Sequence, residues 1–143
     1  MLAEGQALPP LAVTDLYGHA SVIDYRSDRR QTMIYVLSAS CIWCQRNSPS
    51  FHSLSKMRQN LRIVGVSTSL EGMAGFIART GFEFPVYQAT ESAAEKYRLA
   101  QTPTPTTILV SAEATVVKIW TGAYVGHTKT SIEDYFKIVL PSD

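Results

Sequence analysis

The chain has few cysteines, little charge and no long apolar run. Only two of its 143 residues are cysteines, Cys41 and Cys44, and its three histidines (His19, His52 and His127) are scattered. A tetrahedral zinc site wants four ligands, commonly with a His-x₃₋₅-His pair. Two cysteines and dispersed histidines do not make that pattern, so neither a metal nor a cofactor is expected. Covalent haem attachment needs His directly after the second cysteine, and Gln45 stands there. Charged residues make up 17% of the chain and the formal net charge is +1. With Lys and Arg dispersed there is no basic stripe for nucleic acid and no acidic tail. No apolar run approaches the ~20 residues that span a bilayer, so no membrane span is expected. Residues 1–6 have neither the basic region nor the apolar core of a signal peptide. The hydrophobic content of 45% fits a globular chain, and 143 residues suffice for one domain with a proper core.

What is present gathers at residues 40–44, Ser-Cys-Ile-Trp-Cys. The apolar run Met-Ile-Tyr-Val-Leu at 33–37 precedes it, and a helical pattern over about 45–57 follows. A strand, a short polar turn and a helix opening on Cys-x-x-Cys is the arrangement redox chemistry needs. The attacking species is the thiolate, and a helix N-terminus stabilises it with unpaired N–H groups and a positive dipole end. Cys41 is expected at that end and Cys44 one turn further in. A spacing of three puts both sulfurs on one helix face, close enough to bond. Inert structural cysteines are the plain alternative. A bridge closing so small a loop gains little by chain entropy, and the polar lead-in Ser38-Ala39-Ser40 argues for an accessible turn.

Along the chain, the paired Pro9 and Pro10 forbid a helix at the start. Short strands are expected at 13–16 and 20–25 around a turn at 17–19, and a solvated loop at 26–31. Residues 32–37 read as a central strand buried on both faces. The helix after Cys44 contains Pro49, which predicts a kink, and Phe51, Leu54 and Met57 mark its inner face. A strand follows at 61–67. Thr68 or Ser69 is expected to cap a helix over 70–79 that stops at Gly81. Residues 84–87 form a short extended piece, and Thr90 caps a helix to about Leu99. Strands at 106–110 and 115–121 form a hairpin. A last amphipathic helix over about 128–140 buries Ile132, Tyr135, Phe136 and Val139. This order implies an α/β fold, a mixed sheet with helices on both faces.

These landmarks together resemble the thioredoxin-like superfamily, in particular its TlpA/ResA-like branch related to alkyl hydroperoxide reductase. Three features carry the likeness: Cys41-Ile42-Trp43-Cys44 between strand and helix with Pro49 five residues on; Thr104-Pro105-Thr106-Thr107 leading into a hydrophobic strand; and an opening, 4–18, similar to the branch's N-terminal β-hairpin extension. The resemblance implies a thioredoxin fold spanning about residues 4–139. It implies a cis Pro105 facing the cysteines and a Thr104 backbone free to pair with an extended substrate strand. It further implies a periplasmic or extracytoplasmic setting with an anchor upstream of this chain, and leaves a cytoplasmic one open. Three positions depart from the pattern. Ser40 replaces the usual Trp before the first cysteine. Tyr35 and Asn47 replace the two acids that usually handle the buried thiol's proton.

The resulting expectation is a thiol–disulfide oxidoreductase. Cys41 attacks a protein disulfide and Cys44 resolves the mixed disulfide. Trp43, Thr104 and Pro105 contact the substrate. Ile42 and Trp43 add no charge stabilisation to the thiolate, which leans towards a reductant. The partners are protein disulfides or dithiols and an upstream electron donor, with the protein a monomer. Tyr35 reads as a core residue and Arg46 as a solvated helix-face residue. Two alternatives stand beside this: a catalytically weak binding or adaptor module on the same scaffold, and a peroxiredoxin-like peroxidase. The latter wants Pro-x-x-x-Thr-x-x-Cys, and Ser38 stands three before Cys41 with no upstream proline in the loop.

Overall fold

The computed structural model describes residues 1–142. Its strands are β1 (Leu11–Thr14), β2 (Ala20–Ile23), β3 (Thr32–Val36), β4 (Arg62–Ser67), β5 (Val86–Ala89), β6 (Thr106–Val110) and β7 (Val116–Thr121). Its α-helices are α1 (Ile42–Met57), α2 (Met73–Thr80), α3 (Glu91–Lys96) and α4 (Gly126–Phe136). Single 3₁₀ turns lie at Tyr25–Ser27 and Leu99–Gln101. One sheet runs in the order β2-β1-β5-β4-β3-β6-β7. β3, β4 and β5 are parallel, and the pairs β1–β2, β1–β5, β3–β6 and β6–β7 are antiparallel. The α/β class, the mixed sheet and the added N-terminal hairpin are as the sequence predicts.

The two-residue period of β3 explains the layers. Ile34 and Val36 face a core with Leu11, Val64, Val66, Ile108 and the α3-side residues Ala93 and Tyr97. Met33, Tyr35 and Leu37 face the opposite core with Phe51 and Leu54 of α1, Phe76 of α2 and Ile132 of α4. Every β3 residue is buried, as a central strand between two helical layers requires. Gly65 lies mid-sheet in β4, where an added Cβ would stand 3.0 Å from Val86 Cγ2 and 3.2 Å from Leu37 Cδ2. A side chain there would press on these strand and loop neighbours, which would have to give by a few tenths of an ångström. Among the described residues no helix is long and apolar enough to cross a membrane.

Several element ends differ from expectation, each for a local reason. Cys41 is the N-cap of the first helix, at its N-terminal end as expected, and the helix begins at Ile42, ahead of the pattern at 45–57. Met57 is 41% exposed, since the inner face ends at Leu54. The second helix starts at Met73 behind Gly72, not behind Thr68 or Ser69. The Ser69 hydroxyl instead accepts the Glu71 N–H at 3.2 Å in the turn before it. The Thr90 cap is as expected, its Oγ1 accepting the Ala93 N–H at 3.2 Å, but α3 stops at Lys96 because Arg98 is left-handed at φ 53°. The last helix ends at Phe136, with Lys137 at φ 57°. Val139, past the end, is 83% exposed; Tyr135, within the helix, is 40% exposed, while Ile132 and Phe136 are buried. The opening strands are also offset: β1 ends at Thr14, and the Asp15 carboxylate accepts the Tyr17 and His19 N–H groups to form the turn.

Candidate active site

The central strand β3 delivers the chain to one end of the sheet, and a polar turn redirects it into α1. The Cys41 N–H donates to the Ser38 carbonyl at 3.2 Å, and the Ser38 and Ser40 hydroxyls lie 3.1 Å apart. Cys41 is thereby the N-cap of α1, and its Sγ accepts the Cys44 N–H at 3.2 Å. No acidic residue occupies the first turn of that helix. The sulfur of Cys41 thus sits where backbone donors and the helix dipole favour negative charge. Cys41 is partly exposed, whereas Cys44, one turn inward, is fully buried. Both are free thiols.

The turn before β6 comes to the same place. The Cys41 thiol donates to the Thr104 carbonyl at 3.4 Å, across 63 residues of sequence. The Thr104–Pro105 peptide bond is cis. Pro105 is buried and Thr104 half-buried. The Pro105 carbonyl accepts the Gly122 N–H at 2.8 Å, which fastens this turn to the end of β7. Trp43 is 47% exposed, with the Arg46 guanidinium 5.0 Å from its ring centroid. Together with Asn47, Ser50, Ala123 and Val125 these two line a groove of about 500 Å³ beside the cysteines. All five residues singled out from the sequence, Cys41, Trp43, Cys44, Thr104 and Pro105, therefore lie around one turn. Among the described residues, no three His, Cys, Asp or Glu side chains come together as a metal site would need.

The two thiols are held in opposite states. Burial pushes the Cys41 thiol up, but hydrogen bonds from the Cys44 and Thr104 side chains and from the Cys44 and Trp43 backbone outweigh it and bring it below the ordinary thiol range. Burial pushes the Cys44 thiol up to about 12, helped by its bond to Cys41. Of the two sulfurs, the outer one ionises more readily.

Tyr35 and Asn47 bond to each other. The Asn47 Nδ2 donates to the Tyr35 hydroxyl at 2.9 Å, and its Oδ1 accepts the Tyr124 N–H at 2.7 Å. Tyr124 in turn shares a 2.5 Å hydrogen bond with Thr107. Both Tyr35 and Asn47 are buried, and burial holds the Tyr35 hydroxyl well above the usual phenol range. A neutral amide–phenol pair is thus built in one turn beyond Cys44. The role of Asn47 as a buried link to Tyr124 was not read from the sequence. The available signal was its place on the same stripe as Cys44 and Phe51, at i+3 and i+7 from the cysteine.

These ionisation states set how stability depends on pH. Cys44 binds its proton more tightly folded than unfolded, so the unfolded chain holds fewer protons above an ordinary thiol pKa of ~8.5 and stability falls as pH rises. Burial likewise raises Tyr25, Tyr35, Tyr97 (to about 12) and Tyr124. Cys41 acts in the opposite sense: its contribution is already complete above the unfolded pKa and does not offset this slope. Reduced protein is therefore expected to lose stability steeply between about pH 9 and 12, with Cys44 alone contributing on the order of 2–3 kcal/mol by pH 11. Urea titrations across that range check it. A Cys44→Ala variant should show a shallower slope, and an identical slope would contradict the assignment.

No protein-family model matches the sequence, and no curated protein matches it. Solved structures do match. The thioredoxin domain of a thiol-disulfide oxidoreductase from Bacteroides vulgatus superimposes with TM-score 0.75 at 21% identity, over 95% of this chain and 99% of that one. A thiol:disulfide interchange protein from Bacteroides sp. gives 0.71 at 19% identity, over 95% and 91%. A secreted Mycobacterium tuberculosis disulfide oxidoreductase gives 0.68 at 13%, over 86% and 91%. With strand–CxxC–helix at one end of a mixed sheet and a proline turn against the first cysteine, the chain has the thioredoxin fold.

Proposed function

We propose that the protein is a thiol–disulfide oxidoreductase that reduces protein disulfides through Cys41 and Cys44. The observation that carries this reading is the asymmetry of the pair: a partly exposed Cys41 with a lowered pKa at the cap of α1, and a buried Cys44 one turn inside. In the first step the Cys41 thiolate attacks one sulfur of a substrate disulfide. A Cys41–substrate disulfide forms, the substrate S–S bond breaks, and the other substrate sulfur leaves as a thiolate. A Cys41 thiolate has no proton to donate to Thr104, so the Thr104 carbonyl is released to accept an N–H from an extended substrate strand. In the second step Cys44 attacks Cys41. Its proton passes to the departing thiolate or to water, the Cys41–Cys44 disulfide forms, and the reduced substrate leaves. Two electrons move from the protein to the substrate, and an upstream dithiol donor restores them. Neither Ile42 nor Trp43 adds positive charge to the thiolate, which supports a reducing direction. The secreted counterpart of the same fold supports an extracytoplasmic setting; the two-step exchange needs one copy of the chain, and the protein on this reading is a monomer.

The test is covalent capture. A Cys44→Ser variant should accumulate a mixed disulfide between Cys41 and a protein disulfide such as that of insulin, visible on non-reducing gels and released by dithiothreitol. No adduct under conditions where a small thiol forms one would sink the reading. The neutral Tyr35–Asn47 pair favours one variation, a scaffold that binds disulfide proteins but turns over slowly. Insulin reduction no faster than by dithiothreitol at equal thiol concentration, with capture intact, selects that variation.

A further inference from the structure

The groove beside the cysteines has a chemical bias that disulfide exchange by itself does not demand. One wall is α1, through Trp43, Arg46, Asn47 and Ser50, and the other is the loop residues Ala123 and Val125. The walls are fixed to each other, because Asn47 accepts the Tyr124 N–H at 2.7 Å while donating to the buried Tyr35. The groove therefore exists before anything binds. Its apolar surface is exposed: Trp43 is open to solvent over 47% of its area and Val125 over 41%.

Its only charge is Arg46. The guanidinium lies 5.0 Å from the Trp43 ring centroid, which orients it at little entropic cost. It takes part in none of the ion pairs among the described residues. Nor does the surrounding chain offer it a carboxylate. No Asp or Glu occurs from residue 29 to 70, from 96 to 112 or from 114 to 132. Those stretches contain all of α1, the Thr104–Pro105 turn and the 122–125 loop. On the far side of Cys41, by Ser38 and Ser40, Glu71 does line a cleft, but Arg79 lines it too. The lining of the groove on the α1 side thus carries positive charge and no carboxylate.

We propose that this groove selects substrates carrying a carboxylate close in sequence to the disulfide cysteine, with Arg46 the specificity-determining cation and Trp43, Ala123 and Val125 receiving an adjacent apolar side chain. This deepens the oxidoreductase reading and rests on it. The occupant is an extended segment of the substrate polypeptide, since its sulfur must meet Cys41, two residues before the groove-lining Trp43, while the segment runs on along the groove. The five residues from Cys41 to Arg46 rise about 7.5 Å along the helix. An extended chain advances about 3.3 Å per residue, which places the carboxylate about two or three residues from the attacked cysteine. A bidentate guanidinium–carboxylate contact then fixes the register of the segment against the sulfur.

Model peptides test this. Each carries one cysteine capped as its methyl disulfide and differs only at the third position from it, as Asp, Asn or Lys. Rates of reduction by the reduced wild-type protein are normalised to rates with free dithiothreitol, which removes differences in intrinsic thiol reactivity. The Asp peptide is expected to react about tenfold faster than the Lys peptide at low ionic strength, combining one attraction with one repulsion of exposed charges, and the gap should close towards 1 M salt. An Arg46→Glu variant, altered on an exposed helix face, should reverse the order. Moving the Asp to the eighth position should abolish its advantage. Equal normalised rates for the three peptides, or an Asp preference that survives Arg46→Glu, would overturn the proposal while leaving the oxidoreductase reading in place. Failure of the protein to reduce even the Asn peptide would remove both.

Discussion

Replacing Cys41 with Ser is expected to lower the rate of disulfide exchange by at least about 10³-fold, because the hydroxyl is not ionised near neutral pH and the remaining thiol cannot take over. Cys44 is fully buried, so no substrate sulfur reaches it. It is also overwhelmingly protonated: with its pKa pushed up to about 12, only about one molecule in 10⁵ carries the thiolate at pH 7. Loss of the fold would not explain the defect. Serine is a favoured N-cap, and its oxygen can accept the Cys44 N–H that Sγ accepts at 3.2 Å. The variant should therefore keep the wild-type thermal midpoint within a few degrees while losing exchange. Residual activity within tenfold of wild type would mean that Cys41 is not the attacking group. In the wild type the exchange rate should rise with pH and level off below the ordinary thiol range of ~8.5, following the lowered pKa of Cys41. A Cys44→Ser variant should keep that profile in its first half-reaction.

The parts of the site legible in the sequence are those built by neighbours along the chain. Cys41 and Cys44 share a helix turn, and the apolar alternation of β3 identifies the strand that leads to them. The Thr104–Pro105 turn could be placed only by the resemblance, because 63 residues separate Thr104 from the sulfur that it meets. Asn47 shows what local reading misses. The sequence marks it only as standing where an acid is usual; that it is buried and satisfied by Tyr35 and the Tyr124 backbone, 12 and 77 residues away, is a long-range fact. The groove beside Trp43 depends on that link and was equally hidden. The buried faces of α1 and α4 are narrower than their apolar pattern. Periodicity of apolar residues continues through Met57, Tyr135 and Val139, yet these are 41%, 40% and 83% exposed, while Leu54, Phe136 and Leu140 are buried. Likewise Ser69 has the chemistry of a cap, and the turn before α2 had already used its hydroxyl. Pattern shows which face a helix can bury, and only the opposing layer decides how much of that face is buried.

The same distinction predicts a large and unequal effect of two substitutions on one helix. Phe51→Ala is expected to cost about 3–5 kcal/mol, the range for removing a buried aromatic, and to lower the thermal midpoint by roughly 10–15 °C. Phe51 is fully buried and stacks on Tyr35 at 3.7 Å between ring centroids, with Phe84 at 5.3 Å, Phe82 at 5.9 Å and Tyr124 at 6.2 Å around it. Removing the ring leaves a void next to the phenol that accepts the Asn47 amide, so the Tyr35–Asn47–Tyr124 chain loses its backing along with the core. Phe51→Leu refills most of that volume and should cost clearly less. Met57→Ala, two turns further on and 41% exposed, should cost no more than about 0.5 kcal/mol. Urea unfolding of the three reduced variants checks this ordering. Equal costs at 51 and 57 would mean that α1 does not lie against the sheet as described. Because Phe51 underlies Asn47 and Asn47 holds the loop at 123–125, the Phe51→Leu variant carries a second expectation. Its preference for acidic over basic peptides should weaken before its exchange rate with a small disulfide does, since the groove depends on that packing and the cap of Cys41 does not.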